Sequence, residues 1–553
     1  MTEKLDSRVQ LALETLGRAL AYFNRAGAER ERQLDEQELQ LAALRDEIEA
    51  MRADHAEALA AREREIACLE EALAQRDAEL RRATERRGPM TRLWRWLAFH
   101  RNGRPRGWMR ALGRRRLAAD ARRLAAPDVP LMQADEPAAD TFDNSLEGYH
   151  DRMRSLLAEG RLAATGAMVI VAPPRLLAVA GLIADCLRQA PFRCALLDTM
   201  PQEFPADLYL VLAPQDFPCL PPADRRIMLL AEGDAPAGTA KGPGIADLAR
   251  SLAVFSAGEA QIRQLHEQGI NLYQTFLVPL RGGDSSCFGT RHMLLRALHG
   301  CGVLDDDAFE RLTQGTRLEG ERFILCFPED GERLRNARLG VRHGATLFPS
   351  LRAVDGWKGT ALSYRYLARR ALLAGRERLV VWEDDAALDD AFAARLANVL
   401  DYLEHSPLPW DVFSGLLSDI SERMRVMSVE LHGGDLFARV DQVIGMVFGI
   451  YSRRALQMLA AYRVAGDDTM RHTIDRYLEA QPLSCVTVFP PLVEHAGGLS
   501  STLWSRDGRH FTTNASLEPT IRRSQARVIG RIGDHLARSG EAAEREKPPF
   551  RFG

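Results

Sequence analysis

The sequence predicts an α/β protein behind an N-terminal coiled coil, and three observations carry that expectation. A seven-residue apolar step runs through the first 88 residues. Short apolar runs such as Ala167-Met168-Val169-Ile170-Val171 and Phe323-Ile324-Leu325-Cys326-Phe327 are followed by helical spacing, so strands and helices alternate. Leu379-Val380-Val381-Trp382 breaks without any turn residue into Glu383-Asp384-Asp385, which puts three acids at the carboxyl end of a strand, where open α/β sheets hold their ligands.

At 553 residues the chain has room for three or four structural units, at about 150 residues each. Its formal net charge of -3 hides an uneven distribution. The eight cysteines form no CxxC pair and no dense framework, which suits reduced thiols in a cytosolic protein better than disulfides or a zinc site. Charges interrupt the first 17 residues, unlike a signal peptide, and no stretch reaches the ~20 apolar residues of a membrane span. Any membrane contact is therefore expected to be peripheral, at the inner face.

Residues 1–88 are rich in Ala, Glu, Arg, Gln and Leu and contain no proline. Leu34, Leu41 and Ile48 keep a heptad step that Leu59, Ile66, Leu73 and Leu80 resume after an eleven-residue stutter. A coiled coil needs a partner helix, so homo-oligomerisation is expected here, the alternative being a solvated single helix. Residues 89–123 are dominated by arginine, interleaved with Trp94, Trp96, Phe99 and Trp108. Charge with rings beside Leu93, Leu97, Met109 and Leu112 suits an anionic membrane surface; an Arg-rich connector and a nucleic-acid arm share the composition in part. Residues 124–160, with Pro127, Pro130 and Pro137, read as a linker.

In the block 161–300, strands are expected at 167–171, 194–197, 208–212 and 226–230, with helices at 176–189 and 257–268. Ile227-Met228-Leu229-Leu230-Ala231-Glu232, and Val254-Phe255-Ser256 followed by Leu265 and Gly269, give it a resemblance to the Rossmann-like N-terminal half of a GT-B-like sugar transferase. It has no glycine-rich phosphate loop and no second Rossmann half, so a packing or acceptor-binding role is expected of it.

The second block, 320–505, carries the chemistry. Crowded carboxylates raise one another's pKa unless a cation neutralises them, and clustered hard oxygen ligands suit Mn2+ or Mg2+ completed by phosphate oxygens. The plain alternative is that Glu383-Asp384-Asp385 cap the next helix. Around the trio stand Glu332-Arg333, Ala353-Val354-Asp355-Gly356, Gly359-Thr360-Ala361-Leu362-Ser363, Trp410-Asp411, Gly449-Ile450-Tyr451-Ser452-Arg453-Arg454-Ala455 and Thr473-Ile474-Asp475. In order and spacing these resemble glycosyltransferase family 25, the lipopolysaccharide-type sugar transferases. Tyr364 stands where that family has a histidine after the serine, a departure that bears on the donor contacts.

That resemblance implies a GT-A-like fold, a nucleotide-diphospho-sugar donor, foremost a UDP-sugar, and a divalent metal. It implies inversion, as in bacterial members, and a surface-glycan or lipid-linked acceptor. Metal ligands are then expected at Glu383, Asp385 and the late His495, with the diphosphate and donor pocket formed by Asp384, Asp355, Gly356, Gly359 and Ser363. Asp475 is the expected catalytic base, with Asp468 and Asp467 as alternatives. Each has a plainer role: His495 as a loop histidine, Asp475 paired with Arg471 or Arg476, Asp355-Gly356 as an ordinary turn.

Residues 506–553 are expected to form a basic helical tail with a disordered end from Glu541 to Gly553. The main rival to a transferase is a non-enzymatic coiled-coil scaffold with a degenerate glycosyltransferase domain. A receiver-like domain is disfavoured, because Lys358 is the only lysine between Arg322 and Ser505.

Overall fold

A computed structural model describes residues 146–231, 244–280, 288–443, 445–464, 466, 468–499 and 517–545. The coiled-coil and Arg/Trp expectations, and Asp467, lie outside the described residues, all of which belong to one compact unit. That unit is mixed α/β and contains two large sheets.

The first sheet is six-stranded and wholly parallel: β1 (Ala167–Val171), β2 (Arg193–Leu197), β3 (Leu208–Leu212), β4 (Arg226–Leu230), β5 (Ala253–Ser256) and β6 (Thr275–Leu277), in the order β2-β1-β3-β4-β5-β6. Its central strands are buried along their whole length, as apolar runs such as Leu208–Leu212 demand when both faces of a parallel sheet are covered. Edge strand β2 is mostly exposed.

The second sheet has eight strands: β7 (Arg322–Cys326), β8 (Thr346–Pro349), β9 (Arg378–Glu383), β11 (Val412–Ser414), β12 (Val426–His432), β13 (Asp435–Val440), β14 (Phe448–Ser452) and β15 (Cys485–Phe489). Their order is β12-β13-β15-β11-β14-β9-β7-β8. β8, β7 and β9 are parallel, whereas β14 runs antiparallel between β9 and β11. The ends of β7, β9 and β11 and the start of β14 therefore share one edge. A two-stranded ladder of β10 (Ala386–Ala387) and β16 (Glu494–His495) lies on that edge, pairing Ala386 with His495.

The two expected blocks share one core. A single buried cluster runs from Met168 and Phe276 of the first sheet to Phe323, Phe348 and Tyr451 of the second. The helix Thr290–Gly300 lies between them, with every residue from His292 to His299 buried. The joint is fixed by a fully buried ion pair, Arg296 forking onto Glu329 at 2.7 and 3.0 Å, while the Leu277 amide donates to Glu329 Oε1 at 2.8 Å. The helix Glu518–Arg545, expected as a tail, buries Val528, Ile529, Ile532 and Leu536 in that core and extends past the expected start of disorder at Glu541.

Candidate active site

Alternation along β9 sorts its side chains between the two faces of the sheet. Trp382, 1% exposed, packs against Phe392 and stacks on Phe448, with ring centroids 6.1 and 5.6 Å away. Glu383 therefore faces the other side, where Tyr364, Tyr451 and Asp475 come within its electrostatic reach. After Glu383 the chain turns into β10. The chain after the trio begins as strand, because Ala386 and Ala387 pair with His495 and Glu494, and the following helix starts only at Phe392. That distance rules out capping of this helix as the role of the trio.

Asp384 and Asp385 are buried, and Arg333 from the first turn of the helix Gly331–Val341 reaches both. Its guanidinium bonds Asp384 Oδ1 and lies 3.5 Å from Asp385 Oδ2. The Phe327 amide donates to Asp384 Oδ2 at 2.8 Å, and Asn336 Nδ2 donates to the Asp384 and Ala386 carbonyls at 2.7 and 3.0 Å. Asp384, expected at the donor, is thus an anchor of the turn. Neither Arg333 nor Asn336 is recognisable in the sequence as part of this anchor, since neither residue type signals a buried partner.

Asp385 is shared, because the oxygen that Arg333 approaches also faces a histidine. Its Oδ2 lies 3.6 Å from His495 Nε2, and the backbone fixes the approach, with the Ala496 amide donating to the Asp385 carbonyl at 2.8 Å. Two ligands bonded to one small divalent ion at about 2.1 Å sit about 3 Å apart, so Asp385 and His495 fit such an ion with little movement. Among the described residues no group of three His, Cys, Asp or Glu side chains gathers around one point. Water and phosphate oxygens would complete the shell of an ion held by this pair.

The charge balance is uneven: one guanidinium faces three carboxylates. Burial and the neighbouring Asp385 and Asp384 push Glu383 well above the carboxylate range. Burial also raises Asp384, to about 6, against the opposing pull of Arg333. Arg333 itself holds its proton more tightly than usual: burial favours its loss, but Asp384 and Asp385 outweigh that. The excess negative charge is what a divalent ion would neutralise.

Asp475 opens the helix Ile474–Glu479 on the same edge. Its Oδ1 accepts the Arg476 amide at 2.9 Å and its Oδ2 faces the Gly445 amide at 3.4 Å. The expected pairings with arginine give way to others: the Arg476 guanidinium turns to Asp419 and Glu479 at 2.9 and 3.1 Å, and Arg471 lies 3.5 Å from Asp468. Asp468 is exposed on the turn before Thr469, where its carbonyl accepts the Arg471 and His472 amides.

Of the expected donor-pocket residues after β8, Ser363 and Gly359 are committed to the scaffold. Ser363 is fully buried, donating to the Gly359 carbonyl at 2.8 Å and accepting the Leu351 amide at 2.7 Å. A Cβ on Gly359 would meet the Leu351 carbonyl at 2.6 Å, so the glycine lets the helix Gly356–Leu373 close on the loop. Asp355 precedes that helix and pairs with Lys358 at 2.7 Å and Arg154 at 3.1 Å. Burial alone would raise its carboxyl, but these two cations hold it below the usual range. Gly356 remains partly exposed at the first helical position. Tyr364 donates to the Met446 carbonyl at 2.8 Å beneath the site. The Trp410-Asp411 motif is scaffold too: the Asp411 carboxylate takes Arg454 at 2.9 Å and the Ser484 amide at 2.8 Å.

No protein-family model matches the chain, and no curated protein shows significant similarity to it.

Proposed function

We propose that this chain is a metal-assisted glycosyltransferase. It would move a sugar from a nucleotide-diphospho-sugar, foremost a UDP-sugar, to a hydroxyl of a surface glycan or lipid-linked acceptor. The observation that carries this reading is the approach of Asp385 Oδ2 to His495 Nε2 at 3.6 Å, on two strands paired at the ligand edge of a sheet. The order β8-β7-β9 with antiparallel β14 beside it is consistent with a GT-A-like domain, and the six-stranded sheet with a Rossmann-like partner. When bound, the cation supplies Lewis-acid charge to the departing diphosphate.

The chain's own residues would do the rest. Asp385 and His495 hold the ion, and Asp384, locked by Arg333, fixes the turn that presents Asp385. Asp475 takes the acceptor proton as the acceptor oxygen bonds to the anomeric carbon and the bond to phosphate breaks. Asp468, on its exposed turn, is the less suited base. No helix among the described residues is long and apolar enough to cross a membrane, and attachment to an anionic membrane surface through the Arg/Trp segment belongs to the same proposal.

A thermal-shift panel of nucleotide diphosphates and nucleotide sugars, with and without Mn2+, tests the reading. A donor at about 100 times its Kd adds about 2.7 kcal/mol of stability and raises Tm by several degrees. The shift should require Mn2+ and vanish in Asp385→Ala. One observation favours a second reading, a non-enzymatic coiled-coil scaffold with a degenerate transferase domain: Arg333 already neutralises part of the acid cluster. A stable oligomer with no shift for any nucleotide would favour the scaffold.

A further inference from the structure

The helix Glu518–Arg545 lies outside the segment that resembles a transferase, yet it grips a loop of the site. Ser524 and Gln525 are each 1% exposed, unusual burial for polar side chains on a helix that also has an apolar face. Both are spent on backbone. Gln525 Nε2 donates to the Leu417 carbonyl at 2.5 Å, and Ser524 Oγ accepts the Ile420 amide at 3.2 Å. Two arginines on the same helix add to the grip, Arg527 donating to the Ile420 carbonyl at 2.6 Å and Arg531 to the Glu422 carbonyl at 2.7 Å. All four bonds fall on residues 417–422, the loop that leaves β11 at the edge carrying the acid trio.

That loop in turn touches the wall that holds Asp475. Asp419 Oδ2 accepts from Arg476 Nη2 at 2.9 Å, and Arg476 follows Asp475 directly. Ser418 closes against Gly445, where a Cβ would stand 2.0 Å from Ser418 Oγ; with φ at +95°, only glycine suits this point. The Gly445 amide faces Asp475 Oδ2. Buried loop carbonyls and amides without a sheet partner need side chains to satisfy them, and here one helix supplies those side chains.

We propose that the C-terminal helix is a strut for the acceptor side of the site. Through Gln525 and Ser524 it fixes the loop 417–422, and through Asp419 the loop fixes Arg476 and the turn that aims Asp475. Gln525, Asp419 and Arg476 are positioning residues, and this assignment rests on the transferase reading of Asp475. The acid turn carrying Asp385 is held separately by Arg333, so the strut governs proton removal from the acceptor and leaves donor binding alone.

The test uses the full-length chain with Asp419→Asn, Asp419→Glu and Gln525→Leu. Donor turnover with Mn2+ should fall at least tenfold in kcat for Asp419→Asn and Gln525→Leu. Donor affinity should stay within about twofold in both, and Asp419→Glu should recover most of the lost rate. Unchanged kcat, or parallel loss of kcat and donor affinity, would overturn the strut. Hydrogen exchange gives an arm independent of activity: Gln525→Leu should speed exchange in 417–422 and 474–479, whereas faster exchange confined to 517–545 refutes it. If the wild type binds no nucleotide sugar, the transferase reading fails, while the exchange arm still decides the mechanical coupling.

Discussion

Replacing Glu329 by Gln perturbs the joint between the two sheets with almost no change of shape. The Glu329 carboxylate is fully buried, takes a two-pronged bond from Arg296 and a third from the Leu277 amide, and also feels the charge of Arg352. Arg352 lies with its guanidinium 4.0 Å from the centre of the Phe276 ring. The amide would leave two buried guanidinium groups without their shared anion. Removing one partner of a buried pair costs about 3–5 kcal/mol, because the remaining charge stays desolvated. With a urea m-value of about 3 kcal/mol/M, the midpoint should fall by about 1–1.7 M. The assay is urea unfolding followed by tryptophan fluorescence and circular dichroism, and the shared core predicts a single transition by both probes. Burial would raise the Glu329 carboxyl, yet Arg296 and Arg352 hold it below its usual range. Its contribution is therefore present above the unfolded carboxylate pKa and fades as pH falls through the folded one, where wild type and Glu329→Gln should converge. The double variant Glu329→Leu with Arg296→Met should recover more than half of the loss. A cost below about 1 kcal/mol, or a double variant as weak as the single one, would refute the account of this joint.

Three further outcomes are expected. His292 is buried among Phe288, Phe309, Phe348 and Tyr366, and burial followed by nearby Arg296 lowers its pKa to about 3. The unfolded chain takes up a proton near pH 6.5 that the folded chain refuses, so stability falls below that pH, by about 2 kcal/mol at pH 5 from this group; His292→Phe should remove that slope in denaturation measured at pH 8 and 5, whatever its effect at pH 8. A Cβ at Gly340 would stand 2.6 Å from Ile324 Cδ1 and 3.0 Å from Trp382 Nε1, so Gly340→Ala should cost about 1–3 kcal/mol and shift Trp382 emission, and an unchanged melting temperature would count against it. His495→Ala should weaken Mn2+ binding by about tenfold or more, read from the paramagnetic resonance of free Mn2+; wild-type affinity would remove His495 from the proposed ligand pair.

Much of the scaffold is legible because it depends on local periodicity. Apolar runs such as Leu208–Leu212 and Leu379–Trp382 are strands wherever they are packed, and the expected helices at 176–189 and 257–268 are found shortened at Leu177–Cys186 and Glu259–Glu267. The site was legible only in part. Asp385 approaches His495 across the paired strands Ala386–Ala387 and Glu494–His495, whereas Ser363 and Gly359 serve the helix-to-loop joint. A serine committed to its own helix and a serine facing a ligand look the same in sequence. Arg333 was hidden for a similar reason, since one arginine among many does not reveal which carboxylate it will meet.

The sequence by itself determined where most strands and helices form and where acids are crowded, because these follow from spacing and side-chain chemistry along a few consecutive residues; the helix Leu146–Ala158, inside the expected linker, is an exception. Only the tertiary structure decided which of those acids face a histidine, which face an arginine, and that a distant C-terminal helix holds a loop of the site. Those outcomes depend on pairings between residues 50 to more than 100 positions apart, such as Arg333 with Asp384, His495 with Asp385 and Gln525 with Leu417. Chain topology creates these pairings, and no local pattern encodes them.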